Sequence, residues 1–302
     1  MSLYVDKLVK KYGDFTAVKG LSFNVPNPGV FALLGTNGAG KTTAIRSILG
    51  MLSKESGTVT WKGRSLSVTE ERVGYLAEER GLYAKCTIWE QMMYFAELKG
   101  MKRAAATQAI DFWLDRLGAA EYTKKLATQL SKGNQQKIQL AVALISDPEL
   151  LVLDEPLSGL DPVNADLFKS IIRDEINKGK YIIMSSHQMP TIEEFCEDII
   201  IMNRGETVLQ GNLNQIKKGY GRVKLSVKAD ENILPLAQEC GLSVEGQTPN
   251  QTDFKVGDPS QPERFLRKAV EAGITLVKYE LREPSLHEIF IEKVGGEINE
   301  QH

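Results

Sequence analysis

Three cysteines, three histidines and three tryptophans are few for 302 residues, and neither sign of charge dominates: 37 Lys and Arg stand against 39 Asp and Glu, a formal net charge of -2. Cys86, Cys196 and Cys240 are odd in number and have neither a metal-ligand spacing nor an activating base beside them, so they read as buried thiols of a reducing cytosol. The near-balance of charge removes any general attraction to nucleic acid or anionic lipid, and such a partner would need a local patch. No apolar run approaches the roughly 18 to 20 residues of a membrane span. The most apolar stretches, residues 150–153 and 199–202, have the length of strands. Asp6, Lys7, Lys10 and Lys11 interrupt the N-terminal segment where a secretory leader would need an apolar core, so the chain is read as not exported. Internal repeats and low-complexity tracts are also missing. The composition is that of a globular protein with room for two domains.

What is present has an order. Short alternating apolar stretches over residues 3–23 and 58–62 predict strands, and the continuous run Val30-Phe31-Ala32-Leu33-Leu34 predicts a strand covered on both faces. Residues 88–98, 104–117 and 135–145 have helical spacing, whereas strand-like runs return at 150–153, 181–185 and 199–202. The pattern predicts an α/β fold in which a mixed sheet is interrupted by a helical insert over residues 79–148. After residue 219 the pattern changes to a small α+β unit over residues 220–302, joined through Lys217-Lys218-Gly219-Tyr220-Gly221 as a linker.

The chemistry lies at strand ends. Gly35-Thr36-Asn37-Gly38-Ala39-Gly40-Lys41-Thr42 follows the apolar strand and opens a helix at Thr43, the pattern of a phosphate loop. Its glycines let backbone N–H groups turn toward phosphate oxygens, the helix start adds positive potential, Lys41 bridges the outer phosphates, and Thr42 offers a hydroxyl to magnesium. Asp154 closes a second apolar strand and can hold the same ion. Glu155 follows it, placed for general-base activation of a water. His187 ends a third strand-like run. In isolation such a histidine is more often structural, but its convergence on the same edge points to contact with the terminal phosphate or the water.

Between these lies Leu130-Ser131-Lys132-Gly133-Asn134. With the phosphate loop, Asp154-Glu155, Ser158-Gly159-Leu160-Asp161 and Ser186-His187, it occurs in the order of an ABC transporter's ATP-binding cassette, which the chain resembles over residues 3–215. The resemblance implies a P-loop NTPase fold, with ATP and Mg2+ as cofactors. It implies stacking of adenine on Tyr12 near Val18, and a head-to-tail pair of cassettes in which Ser131 and Gly133 reach the γ-phosphate held by the other subunit. Asp161 then crosses the dimer interface. Lys132 and Asn134 depart from the family's Leu-Ser-Gly-Gly-Gln, and Asn134 keeps an amide of shorter reach. Glu78 stands where the family has a magnesium-binding glutamine, either as a metal ligand or as a cap of its strand. Residues 78–87 match the region that receives a helix from the transmembrane subunit.

Residues 222–296, above all Glu283-Pro284-Ser285-Leu286-His287-Glu288-Ile289-Phe290, resemble the extra domain behind cassettes of multidrug and sodium-efflux systems, read here as a dimer-stabilising appendage. Together these features predict an exporter's ATPase at the cytoplasmic face of the membrane, held there by separate permease subunits and making no use of nucleic acid. Two other readings remain. A soluble ABC protein of ribosomes or DNA would need tandem cassettes or a long coiled coil, and a regulatory module that closes without turnover would have no use for Glu155 and His187.

Overall fold

The computed structural model describes residues 2–66, 73–79, 81–249 and 251–295. Its elements run β1 (Leu3–Tyr12), β2 (Phe15–Val25), β3 (Gly29–Gly35), α1 (Lys41–Ile48), β4 (Ser56–Trp61), β5 (Arg64–Ser65), β6 (Val73–Leu76), α2 (Ile88–Leu98), α3 (Arg103–Arg116), α4 (Lys132–Leu144), β7 (Leu150–Asp154), α5 (Pro162–Asn177), β8 (Tyr181–Ser186), α6 (Met189–Phe195), β9 (Cys196–Asn203) and β10 (Glu206–Asn212). They continue with α7 (Leu213–Tyr220), β11 (Lys224–Ala229), α8 (Leu234–Glu239), β12 (Ser243–Thr248), β13 (Gln251–Lys255), α9 (Gln261–Glu271), β14 (Leu276–Arg282) and α10 (Leu286–Gly295).

In the first unit, β3 and β7 each carry a continuous apolar run because both faces of their sheet are covered. Val30 to Leu34 and Leu150 to Leu153 are each at most 4% exposed. The six-stranded sheet has the order β10-β9-β3-β8-β7-β6, with β6, β7, β8, β3 and β9 all parallel. An antiparallel sheet of order β2-β1-β4-β5 faces it, and α1 shares one core with both sheets through Ala44, Ile45 and Ile48. Phe23 stacks on Phe31 across this core at 4.6 Å, and Trp61 meets Tyr181 edge-on at 5.1 Å. The parallel register aligns the carboxyl ends of β3, β7 and β8, which is where ligands bind in open α/β sheets.

Between β6 and β7 the regular elements among the described residues are all helices, following a loop that runs to the bridge of Thr87 with Leu126. The start of α2 is set by a capping box: Thr87 Oγ1 accepts from the Glu90 N–H, and Glu90 Oε2 accepts from the Thr87 N–H at 2.8 Å. Residue 80 of the insert lies outside the described residues.

The chain divides into two compact units, Met1–Gln210 and Gly211–His302, so the division falls within β10, upstream of residue 219. Lys217, Lys218, Gly219 and Tyr220, read from sequence as linker, are helical instead. Asn212 caps α7 by accepting from the Gln215 N–H at 3.1 Å, and Leu213 is buried. In the second unit β11-α8-β12-β13-α9-β14 is a βαββαβ arrangement whose antiparallel sheet has the order β12-β13-β11-β14, a ferredoxin-like topology. Leu225, Val227 and Phe254 of the sheet pack with Phe265 and Ala269 of α9. Residue 296, the last of the tail resemblance, lies outside the described residues.

The motif at Ser285 begins α10. Glu288 accepts from the Ser285 N–H at 2.7 Å and from Arg282 at 2.7 and 3.2 Å. Partial burial acts to raise the Glu288 pKa, but these hydrogen bonds outweigh it and hold the carboxyl at about 2.

Candidate active site

The loop from Gly35 to Thr42 bends where side chains have no room. A Cβ on Gly40, which has φ of +101°, would lie 2.4 Å from the Ala17 carbonyl oxygen, and one on Gly35 would lie 2.6 Å from that of Met202. With Gly38 also at positive φ, the loop wraps a cavity of about 330 Å3 that opens at the start of α1. Thr36, Asn37, Gly38, Ala39, Gly40, Lys41, Thr42 and Thr43 line it, together with Tyr12, Phe15, Ala17, Glu78 and Glu155. Lys41 is buried, and its Nζ donates to Gly35 O at 2.9 Å and Thr36 O at 3.2 Å while lying 3.5 Å from Glu155 Oε1.

Asp154 and Glu155 follow from the register of β7 on β8, which pairs Asp154 with Ser185. The Ser185 hydroxyl donates to Asp154 Oδ1 and also accepts from the Glu155 N–H at 3.0 Å, so one buried side chain holds both residues. Glu155 leaves the strand at φ of +51°, a left-handed conformation uncommon for a residue with a Cβ, and this turns its carboxylate into the cavity. His187 Nδ1 lies 2.9 Å from Glu155 Oε2, and the His187 N–H donates to the same oxygen at 3.4 Å. His187 is therefore held on the Glu155 carboxylate and is not among the described residues that line the cavity.

Burial pushes the Asp154 carboxyl upward, and the neighbouring Glu155 charge adds to this, against hydrogen bonds from Ser185 and Thr42 and the charge of Lys41. Asp154 Oδ2 and Glu155 Oε1 are buried and without a hydrogen-bond partner among the described residues. An orphaned carboxylate oxygen beside the Thr42 hydroxyl fits a hard divalent cation with oxygen ligands, so the donor set suits magnesium.

One assigned residue is placed differently at the Tyr12 end of the cavity, and one unassigned residue joins it. Val18 is fully buried in the core shared by the two sheets and does not line the cavity, whereas its neighbour Ala17 does, because alternation along β2 turns successive side chains to opposite faces. Phe15, passed over in the sequence, stands exposed beside Tyr12. Ser185 was legible only as a strand residue, although a serine inside an apolar strand is the kind of signal that marks it.

The signature residues form a second cluster away from this cavity. Ser131 caps α4, its Oγ accepting from the Asn134 N–H at 3.4 Å, and Asp161 caps α5 by accepting from the Asn164 N–H at 3.0 Å. A Cβ on Gly133 would meet Asn164 and Leu160 at ordinary distances of 3.6 and 3.8 Å, so the signature turn lies against the residues next to Asp161. None of Ser131, Gly133, Asn134 and Asp161 lines the phosphate-loop cavity. The Asn134 amide donates to the Tyr122 hydroxyl at 2.9 Å and so serves to brace α4 within the chain. Farther along α4, Gln136 donates to Pro156 O at 2.8 Å and Gln139 to Glu79 O at 3.1 Å. One helix thereby ties the signature turn to the segments carrying Glu155 and Glu78.

Glu78 is exposed at the rim, two residues beyond the end of β6. If it ligates the ion, Glu78→Gln shifts the magnesium dependence of ATP turnover, and an identical titration curve makes it a bystander. Next to it, Tyr83 lies face to face with Phe95 at 6.0 Å and edge to face with Tyr94 at 6.2 Å, and both tyrosines are about half exposed. Gln91 is buried beneath them, accepting from the Tyr83 N–H at 3.1 Å and donating to Cys86 O at 3.4 Å. Cys196 and Cys240 are buried, but Cys86 is only partly so.

A larger cavity of about 530 Å3 lies in the second unit, lined by Lys224, Glu245, Lys255, Glu288, Ile291 and neighbours. Lys224 there pairs with Glu245 and lies 3.8 Å from Glu288, without the strand-end carboxylates or phosphate loop of the first unit.

Comparison with known proteins agrees with this geometry. A family model described as ABC transporter matches residues 18–158, and one described as the C-terminal domain of DrrA1-3-like ATP-binding proteins matches residues 211–294. The uncharacterized ABC transporter ATP-binding protein YhaQ of Bacillus subtilis (strain 168) is 42% identical over 97% of this chain and 99% of its own length. The bacitracin transport ATP-binding protein BcrA of Bacillus licheniformis is 30% identical over 96% of each. A solved ATP-binding subunit of an ABC transporter superposes with a TM-score of 0.68 at 28% identity, over 73% of this chain and 94% of that one. With 42% identity to YhaQ along nearly the whole of both chains, the chain belongs to the ABC transporter ATP-binding proteins, as the ATP-hydrolysing subunit of such a transporter.

Proposed function

We propose that two copies of the chain, or one copy and a paired cassette, close head to tail on two MgATP molecules and drive export through separate transmembrane subunits at the inner face of the membrane. The observation that carries this reading is the exposed Ser131 cap, with Gly133 in the first turn of α4, outside the chain's own nucleotide cavity. A glycine in a helix costs about 1 kcal/mol relative to alanine, and among the described residues none forces one at Gly133, where a Cβ would make only ordinary contacts at 3.6 and 3.8 Å. The position suits the close approach of a group from outside, and the start of α4 suits an anion.

Within each site, Lys41 leaves the Gly35 and Thr36 carbonyls and Glu155 to take the outer phosphates. Thr42 and Asp154 hold magnesium, with Glu78 as the further candidate ligand; when bound, the ion neutralises phosphate charge. Glu155 accepts a proton from the attacking water, and His187 orients it by holding Oε2. Asp161 and its turn carry the state of one site toward the other across the interface. The exposed aromatic surface at Tyr83 and Tyr94 receives the permease.

Export is favoured over import by the resemblance of residues 222–296 to the extra domain of efflux cassettes, a region that matches the C-terminal domain of DrrA1-3-like ATP-binding proteins. Among the described residues no helix is long and apolar enough to cross a membrane, which agrees with a permease carried on other chains. In cells expressing the chain with its membrane partner, accumulation of the transported compound falls, and Glu155→Gln restores it. A rise in accumulation that needs Glu155 would reverse the direction.

A further inference from the structure

Phe15 begins β2 and stands opposite Tyr12 across the turn at Gly13 and Asp14. Phe15 is 65% exposed and Tyr12 50%, so the hairpin end leaves two large aromatic residues in water, and both line the phosphate-loop cavity. Neither contributes to the core, whose β2 share is Val18, Leu21, Phe23 and Val25. The Lys10 ammonium lies 5.2 Å from the centre of the Tyr12 ring and takes one of its faces. Of the described lining residues at this end, Phe15 and Ala17 have no polar side-chain group and Tyr12 has only its hydroxyl, while Lys10 lies over one face of the Tyr12 ring and the Ala17 carbonyl is closely packed against Gly40 and Gly205, so ring faces and not edge-reading amides dominate here. Aromatic rings without directed hydrogen-bonding groups recognise a base by its π face and not by its edge, because every base has such a face but only the edge distinguishes one purine from another.

We infer that Phe15 is a specificity-determining residue, a second aromatic surface that with Tyr12 holds the purine ring of the nucleotide. The inference rests on the nucleotide site alone and not on dimer closure, export or magnesium ligation. Larger rings gain more from stacking, so the site favours purine over pyrimidine nucleotides while treating adenine and guanine nearly alike.

The test is binding of nucleoside diphosphates to the full chain, which avoids turnover, by titration calorimetry. Base stacking of this kind lost on alanine substitution corresponds to roughly tenfold in affinity. Phe15→Ala is expected to weaken ADP and GDP binding by that factor and to narrow their advantage over CDP and UDP, with Phe15→Trp restoring both and Phe15→Leu restoring neither. Because the ring is exposed, these variants leave the core untouched. Unchanged ADP affinity in Phe15→Ala overturns the inference, as does recovery with leucine equal to that with tryptophan, which would make Phe15 a packing residue.

Discussion

Glu155→Gln lowers ATP turnover by a factor on the order of 10^2 to 10^4, the usual contribution of a positioned general base, while leaving nucleotide bound. The substitution keeps the shape of the side chain and an oxygen able to accept from His187, whose Nδ1 lies 2.9 Å from Oε2. What it removes is the proton acceptor and the negative charge 3.5 Å from Lys41 Nζ. Both changes act in one direction: water is no longer activated, and Lys41 has one less competitor for phosphate. Phosphate release measured under saturating MgATP reads the first effect, and retention of nucleotide on a sizing column reads the second. Turnover within twofold of the unsubstituted protein would move the base elsewhere.

Lys41→Ala weakens ATP binding by about two orders of magnitude, as the loss of charge-assisted hydrogen bonds to phosphate implies. The side chain is 7% exposed and is oriented by two loop carbonyls, so its charge is desolvated and directed before the ligand arrives. Its removal also leaves Glu155 Oε1 buried with neither a hydrogen-bond partner nor its cation. A second carboxylate then faces incoming phosphate without compensation, and the affinity loss exceeds that from deleting an exposed lysine. Equilibrium binding of fluorescent ATP checks this, with circular dichroism to verify the fold; unchanged affinity removes the phosphate-loop assignment.

The parts of this site that sequence revealed are those where chemistry and backbone geometry coincide. Gly35, Gly40 and Lys41 form a contiguous pattern, and Asp154 is a polar residue ending a fully apolar strand, so each is visible without tertiary information. Ser185 is different. Its importance comes from pairing with Asp154 across two strands separated in sequence by α5, and only the register creates that pairing. The same applies to Ala17, which displaced Val18 from the cavity by one position of strand alternation. Gln136 and Gln139 looked like the polar face of a helix until their amides met Pro156 O and Glu79 O. In the second unit, β11, β13, β14 and the helices α8, α9 and α10 have periodicities that the sequence shows. The edge strand β12 does not, because it is mostly exposed and has no buried face to generate a pattern.

The helical α7 in place of a linker has a similar cause. Lys217, Lys218 and Gly219 suggest an open connection by composition, yet Asn212 supplies the cap and the basic residues fall in the last turn, where they complement the helix dipole. Local electrostatics favoured order where composition suggested its absence.

The proposed head-to-tail pair makes Ser131 part of a nucleotide site on another molecule. Light scattering of Glu155→Gln in saturating MgATP tests it most directly, with Glu155→Gln carrying Ser131→Arg as the comparison. The expected mass is twice the 33.5 kDa of the chain for the first and the single chain mass for the second, with both still binding ATP. A single-chain mass for Glu155→Gln, or equal dimerisation of the Ser131→Arg form, would contradict it.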